Sequence, residues 1–71
     1  MQSVVLFYTT NSALKLEKLC KKAGINIKLV PVPRHLSSDC GVCLKFDTEA
    51  IESVKSVIEK NSIEIVDICS I

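Results

Sequence analysis

The sequence predicts an α+β fold in which two amphipathic helices pack on one face of a four-stranded antiparallel sheet. Strand-like and helix-like patterns follow one another in the order β-α-β-β-α-β along 71 residues. No linker or low-complexity stretch interrupts them. This order is that of the split βαβ, or ferredoxin-like, arrangement. The length suits a single domain covering residues 1–71.

The first strand and the first helix are the clearest elements. Residues 4–8 form a continuous apolar run that predicts a buried strand, and residues 9–12 are all good N-cap residues. A helix is expected to follow and to end at Gly24, a residue typical of the C′ position. Its buried face is predicted to consist of Ala13, Leu16, Leu19, Cys20 and Ala23.

The second and third strands are predicted from alternation of apolar and polar residues. The second strand covers Ile25, Ile27 and Leu29, and Pro31 and Pro33 place it at an edge of the sheet because proline cannot donate to a ladder. Residues 34–41 show no periodic pattern of apolar residues and are predicted to form a loop. In the third strand Val42, Leu44 and Phe46 alternate with Cys43 and Lys45.

The second helix and the last strand complete the predicted fold. Residues 47–49 supply a cap and first-turn acids, and residues 61–62 end the helix. The last strand is expected over residues 63–68. The buried face of the helix is predicted to be Ile51, Val54, Val57 and Ile58.

The topology makes two further predictions. The end of the first strand, the start of the first helix and the loop after the second strand should share one edge, so residues 9–12 are expected near residues 38–41. The sheet face opposite the helices should be mostly apolar, which on so small a chain predicts a homodimer or another partner. The residues expected on that face are Val5, Phe7, Val30, Val32, Cys43 and Lys45.

Composition excludes several classes of protein. A net charge of +1 excludes a strongly basic nucleic-acid-binding protein, and two phenylalanines and one tyrosine are too few for a base-stacking surface. No stretch approaches the ~20 apolar residues that cross a membrane. The first residues lack the charge and the apolar length of a signal peptide. We therefore expect a cytoplasmic protein with reduced thiols and no nucleic-acid or membrane partner.

Cys40 and Cys43 form a C-x-x-C sequence, for which three chemistries are known. It can be a redox pair, half of a zinc site, or a persulfide-bearing thiol with a resolving partner. No helix opens at the pair, as a thioredoxin-type site requires. Cys20 and Cys69 are expected at the opposite end of the fold, so no metal site within one chain and no cofactor are predicted. Zinc shared across a dimer stays open.

The neighbours of Cys40 favour a reactive thiolate, which is the nucleophilic form of cysteine. The expected N-terminus of the first helix adds a partial positive charge, whereas Asp39 acts in the opposite direction. Gly41 allows close approach of a ligand or partner to the backbone. The two cations and two hydroxyl groups that would stabilise the thiolate are Arg34, His35, Ser37 and Ser38.

This loop carries a resemblance to a known family. Residues 33–42 resemble the Pro-Arg-x-(Ile/Leu)-Ser-Ser-x-Cys-Gly signature of the putative selenium/sulfur carrier protein-like family. The resemblance extends over nearly the whole chain, including the closing Ile-x-Ile strand. Other matching positions are Phe7-Tyr8-Thr9, Leu44-Lys45-Phe46, and Ala13, Leu14, Glu17 and Leu19. The last four resemble the family's Ala-Leu-x-x-Glu-x-x-Leu pattern, except that Leu19 is one position away from the leucine of that pattern.

The resemblance implies a carrier module more than a stand-alone enzyme. Cys40 would hold sulfur or selenium as a persulfide or selenosulfide, taken from a donor enzyme and passed to an acceptor enzyme. Cys43 departs from the family pattern, and it either resolves a persulfide on Cys40 or is neutral. The surrounding motif implied by the family consists of Arg34, Ser37, Ser38 and Gly41.

Two other functions are compatible with the same residues. One is a small redox- or metal-binding regulatory or interaction domain that uses the C-x-x-C pair. The other is a thiol oxidoreductase in which Cys40 and Cys43 form and break a disulfide.

Overall fold

The structure, a computed structural model, describes residues 1–33, 36 and 41–71. Within this part of the chain it contains four strands in one antiparallel sheet and two α-helices, as the sequence predicts. The elements are β1 (Gln2–Leu6), α1 (Thr10–Lys22), β2 (Ile27–Pro31), β3 (Val42–Asp47), a short 3-10 turn (Thr48–Ala50), α2 (Ile51–Lys60) and β4 (Asp67–Ser70). The spatial order of the strands is β2-β3-β1-β4, which confirms the ferredoxin-like arrangement.

The register of the central strands decides which chain segments meet. Leu6, at the end of β1, lies opposite Cys43 on β3 and opposite Asp67 on β4. β2 pairs only with β3 among the described strands and ends at Pro31, so it is the edge strand expected from its prolines. The end of β1 and the start of β3 therefore lie at the same end of the sheet.

Local sequence explains both ends of α1. Thr9 is the N-cap, and its Oγ1 accepts a hydrogen bond from the backbone N–H of Ser12 at 3.3 Å. At the other end Gly24 has a φ of +81°, and the N–H of Ile25 donates to the Cys20 carbonyl at 2.9 Å. This is a Schellman motif, and it confirms Gly24 as the residue that ends the helix.

The start of α2 differs from the prediction. Asp47 makes no side-chain capping hydrogen bond, and the 3-10 turn precedes the helix, which begins at Ile51. The reason is that Asp47 is still part of β3, where it lies opposite Gln2. The predicted buried face is confirmed, since Val54 is fully buried and Ile51, Val57 and Ile58 pack against the core.

The main core lies between the sheet and the two helices. Phe7 and Leu16 are its largest fully buried side chains, and Val54 joins it from α2. The strands contribute the residues that point toward the helices, which are Val5, Ile27, Leu44 and Phe46.

The opposite side of the sheet, which we call the second face, has a smaller core of its own. Val4 and Cys43 are 0% exposed and Leu6 is 4% exposed. The side chains packed against these three are Val30, Val32, Leu36 and Cys69.

The predicted composition of the second face is correct in part. Val30, Val32 and Cys43 lie on it, and Lys45 shares it because Lys45 lies opposite Val4. Val5 and Phe7 were wrongly expected there, since both lie in the main core. Every residue from Val4 to Phe7 is apolar and buried, so alternation carried no information about which residue faces which side.

Burial within one chain also changes the argument for a homodimer. The expected dimer rested on an exposed apolar face, and the central residues of that face, Val4, Leu6 and Cys43, are already covered. The dimer stays a prediction without that support.

The last strand begins later than predicted and continues past Ile68 to Ser70. β1 ends at Leu6, which pairs with Asp67 and accepts a hydrogen bond from the Val66 N–H at 2.7 Å, so residues 63–65 extend past the strand with which they would pair. Ile63 instead packs into the main core, and β4 begins at Asp67. In the described part of the chain no helix is long and apolar enough to cross a membrane.

Candidate functional site

The segment of interest, residues 33–40, connects β2 to β3 and is closed by a backbone hydrogen bond. The N–H of Val32 donates to the Gly41 carbonyl at 3.1 Å, one step beyond the pairing of Pro31 with Val42. We call residues 33–40 the site segment. Six of its residues lie outside the described part of the chain, including most of the predicted site. These are Arg34, His35, Ser37, Ser38, Asp39 and Cys40.

Leu36 is the described residue in the middle of the site segment, and it packs on the second face. Its side chain is half-buried against the cluster formed by Val4, Leu6 and Cys43. Its backbone N–H donates to the Pro33 carbonyl at 3.0 Å. Leu36 therefore holds this part of the chain against the sheet.

Gly41, which directly follows the site segment, has a backbone conformation that favours glycine. Its φ is +73°, in the left-handed region that costs other residues roughly 1–2 kcal/mol. A Cβ at Gly41 would meet no heavy atom of the described residues within 4 Å, apart from those of its chain neighbours. The glycine that follows Cys40 is required by backbone conformation and not by a close contact.

The N-terminus of α1 lies at the same end of the sheet as Gly41. The helix begins three residues after Phe7, and β1 at this end is paired with the first residues of β3. The proximity of residues 9–12 to residues 38–41 stays a prediction, and residues 38–40 lie outside the described residues. A helix N-terminus at this end favours negative charge near it.

Cys43 is buried in the second face. Its side chain is 0% exposed, and its Sγ donates weakly to the Pro31 carbonyl at 3.8 Å. A thiol in such surroundings behaves mainly as a small apolar residue. Of the two roles that the sequence left open, this burial favours packing over reaction as a resolving thiol.

Cys20 and Cys69 are also poorly suited to nucleophilic chemistry. Cys20 lies in the main core, where burial raises the pKa of its thiol. Cys69 is half-buried on β4, and desolvation raises the pKa of its thiol, with a further rise from the nearby Asp67 carboxylate. Its Sγ lies 3.9 Å from Asp67 Oδ2. Both thiols are held in the protonated, less reactive form.

The arrangement of the cysteines bears on metal binding as well. Cys20 lies on the helix side of the sheet, whereas Cys43 and Cys69 lie on the second face. Among residues 1–33, 36 and 41–71 no group of three or more histidine, cysteine, aspartate or glutamate side chains is placed to hold a metal ion.

The anchoring role of Leu36 is a feature that the sequence interpretation missed. Residues 34–41 were predicted only to be a loop without a period. Leu36 is the one large apolar residue in that stretch, and this was the available signal that the loop folds back onto the sheet.

The comparison with known families gives a match over nearly the whole chain. The model of the family described as "Putative Se/S carrier protein-like" matches residues 2–70 of this chain. Comparison with curated proteins gives no match, and comparison with solved structures gives none either. The matched range includes the whole site segment.

Proposed function

This chain belongs to the Se/S carrier protein-like family, and from that membership we propose that it carries sulfur or selenium on Cys40. The observation that supports the proposal is the match over residues 2–70, which contains the Pro-Arg-x-Leu-Ser-Ser-x-Cys-Gly sequence around Cys40. The chain acts as a carrier module between a donor enzyme and an acceptor enzyme, in the cytosol, where thiols stay reduced.

The loading step is a thiolate exchange. The Cys40 thiolate attacks the outer sulfur of a persulfide on the donor, R–S–SH, and forms a new S–S bond. The S–S bond of the donor breaks, and the donor leaves as the thiolate R–S⁻ with no net oxidation or reduction. Delivery to an acceptor repeats the step in reverse, and a selenosulfide transfers selenium in the same way.

The other three cysteines support the assignment by their surroundings. Cys20 and Cys43 are 0% exposed, and Cys69 has a thiol pKa raised by desolvation and by Asp67. A sulfur acceptor needs an accessible thiol with substantial thiolate character. None of these three offers both properties.

The fixed points around the site segment also support a carrier. Leu36 packs on the second face and Gly41 is bonded to Val32, so the chain is held on both sides of Cys40. Arg34, Ser37 and Ser38 are proposed to stabilise the thiolate and the bound sulfur, as the family motif implies. The N-terminus of α1 at this end of the sheet adds favourable electrostatics.

The oxidoreductase alternative requires an accessible Cys43 thiol, and the fold buries this thiol. A disulfide between Cys40 and Cys43 needs the Cys43 sulfur to be reached, and this sulfur is buried beside Val4 and Leu6. The carrier proposal does not require Cys43 to react.

The test is intact mass spectrometry under non-reducing conditions, after incubation with a cysteine desulfurase and cysteine. The proposal predicts a gain of one sulfur atom in the wild-type chain, reversed by reductant. Cys40→Ser should show no gain. Cys69→Ser, which replaces the described cysteine that is partly exposed, is the matched control and should load normally.

Two outcomes would contradict the carrier proposal. Loss of two hydrogens that disappears in Cys43→Ser would indicate the Cys40–Cys43 disulfide and an oxidoreductase. An unchanged mass for the wild-type chain, with the desulfurase shown to load another thiol protein, would favour a regulatory or interaction domain.

A further inference from the structure

A pocket lies on the second face, at the end of the sheet away from the site segment. Its volume is about 160 Å³. Two of its lining residues are lysines on neighbouring strands, Lys28 and Lys45, and they lie directly opposite each other. The pocket is lined by Gln2, Asn26, Lys28, Lys45, Phe46 and Asp47, and we call it the basic pocket.

Strand register explains why these polar side chains converge. Lys45 lies opposite Val4, and Asp47 lies opposite Gln2, so all four belong to the face that carries Cys43. Side chains alternate along a strand, so every second residue of β1 and β3 lies on this face. Near the site segment these residues are apolar, and toward the other end of the sheet they are polar. The two halves of the second face are therefore chemically different.

In the part of the chain that the structure describes, neither Lys28 nor Lys45 makes an ion pair within 4.0 Å. Like charges directly opposite in an antiparallel pair are destabilising, and Lys45 is half-buried on an inner strand where water screens it less. Between described residues, the ion pair within 4.0 Å is that of Lys21 with Glu17 on α1. An anion between Lys28 and Lys45 would turn this repulsion into attraction.

We propose that the basic pocket binds a tetrahedral oxyanion of the phosphate and sulfate class. Lys28 and Lys45 supply charge-assisted hydrogen bonds, and the side-chain amides of Gln2 and Asn26 supply neutral donors. The Asp47 carboxylate lowers the positive charge of the pocket and weakens the attraction without removing it. This pocket is separate from the point where the site segment joins β3, because Lys45 lies beyond Cys43 toward the far end of that strand.

The experiment is an amide chemical-shift titration of the intact protein with inorganic phosphate, at constant ionic strength maintained with NaCl. Saturable shifts are expected at Gln2, Lys28, Lys45 and Asp47. Lys45→Gln should weaken binding about tenfold, the effect of losing one charge-assisted hydrogen bond. Asp47→Asn should tighten binding, since it removes the repelling carboxylate. The same titration with sulfate should give saturable shifts at the same residues if the pocket binds tetrahedral oxyanions as a class.

The matched control is Lys55→Gln, which removes an exposed lysine from α2 and should leave phosphate affinity unchanged. Lys28→Gln is a second test on an exposed edge-strand position, where the fold tolerates substitution, and it should also weaken binding. The proposal is overturned by shifts that do not saturate, or by equal affinity in wild type, Lys45→Gln and Lys28→Gln. Loss of affinity in Lys55→Gln equal to that in Lys45→Gln would indicate general charge screening and also overturn it.

Discussion

At the scale of single residues, the backbone conformation of Gly41 gives the sharpest prediction. Its φ of +73° is unfavourable for residues with a Cβ, and no described residue beyond its chain neighbours lies within 4 Å of the position that a Cβ would take. Gly41→Ala should lower the free energy of unfolding by about 1–2 kcal/mol, measured by urea denaturation. Gly41→Asn should lower the free energy of unfolding by less than Gly41→Ala does, because asparagine tolerates the left-handed region. Equal stability of wild type and Gly41→Ala would contradict this account of the end of the site segment.

The raised pKa of Cys69 gives a second prediction at this scale. Desolvation and Asp67 both favour the neutral thiol, so less thiolate is present at any given pH than for an ordinary cysteine. Asp67→Asn should lower the pKa of Cys69 and speed its alkylation by iodoacetamide, with the pH midpoint of the rate moving down. Residues 61–71 contain Cys69 as their one cysteine, so the C-terminal tryptic peptide reports it alone.

The control for that experiment is Glu64→Gln, which removes a nearby acid that makes no contact with the thiol among the described interactions. Its alkylation profile should match the wild type. A profile of Asp67→Asn that also matches the wild type would mean that desolvation alone raises the pKa.

Cys40 could be singled out as a candidate from the residues around it, and its role stays a prediction, whereas the surroundings of the other cysteines depended on the fold. The motif around Cys40 is local and is visible in the sequence. The burial of Cys43 depends on long-range pairing, since its neighbours Val4 and Leu6 belong to a strand about forty residues earlier. No local pattern distinguishes a buried cysteine on an inner strand from an exposed one.

At the scale of elements, the end of α2 contains an unfavourable residue. Ser62 occupies the C′ position with a φ of +51°, and the Ile63 N–H donates to the Ile58 carbonyl at 3.1 Å. Glycine is preferred at this position of a Schellman motif. Ser62→Gly should therefore raise the free energy of unfolding by about 1 kcal/mol, measured by thermal or urea denaturation.

Ser56→Gly is the matched control, because Ser56 is an exposed serine inside the same helix. There glycine loses helix propensity, and we expect a destabilisation of about 0.5 kcal/mol. If Ser62→Gly and Ser56→Gly changed the free energy of unfolding in the same direction, the backbone conformation of Ser62 would not be what determines the effect of glycine there.

The order of the elements was predictable, and the errors lie where local patterns are ambiguous. Proline, glycine and cap residues identified the edge strand β2 and both ends of α1. The orientation of β1 was wrong at Val5 and Phe7, because a run buried on both faces has no period. The predicted start of β4 was wrong, because β4 can pair only as far as β1 extends, and the residues of β4 do not show where β1 ends.

At the scale of the whole molecule, Leu36 connects the site segment to the sheet. Truncating this half-buried side chain should lower the free energy of unfolding by about 1–2 kcal/mol and expose part of the cluster around Val4, Leu6 and Cys43. Faster alkylation of Cys43 in Leu36→Ala, followed by peptide mass spectrometry, measures the exposure. Leu14→Ala is the control, since Leu14 is 46% exposed on α1 and its loss should change stability by less than about 0.5 kcal/mol.

An unchanged Cys43 alkylation rate in Leu36→Ala would mean that other contacts cover the second face. The expected result would link loop packing to thiol protection. It would also explain why Cys43 of the C-x-x-C sequence is protected.

The central claim is that Cys40 is the sulfur acceptor, and peptide-level localisation of the bound sulfur tests it most directly. The wild-type chain is loaded from a desulfurase, its persulfides are trapped with iodoacetamide, and the tryptic peptide of residues 35–45 is fragmented between Cys40 and Cys43. We predict the added sulfur on Cys40, with Cys20, Cys43 and Cys69 carrying none. Added sulfur on Cys43 or Cys69, with Cys40 unmodified, would contradict the account.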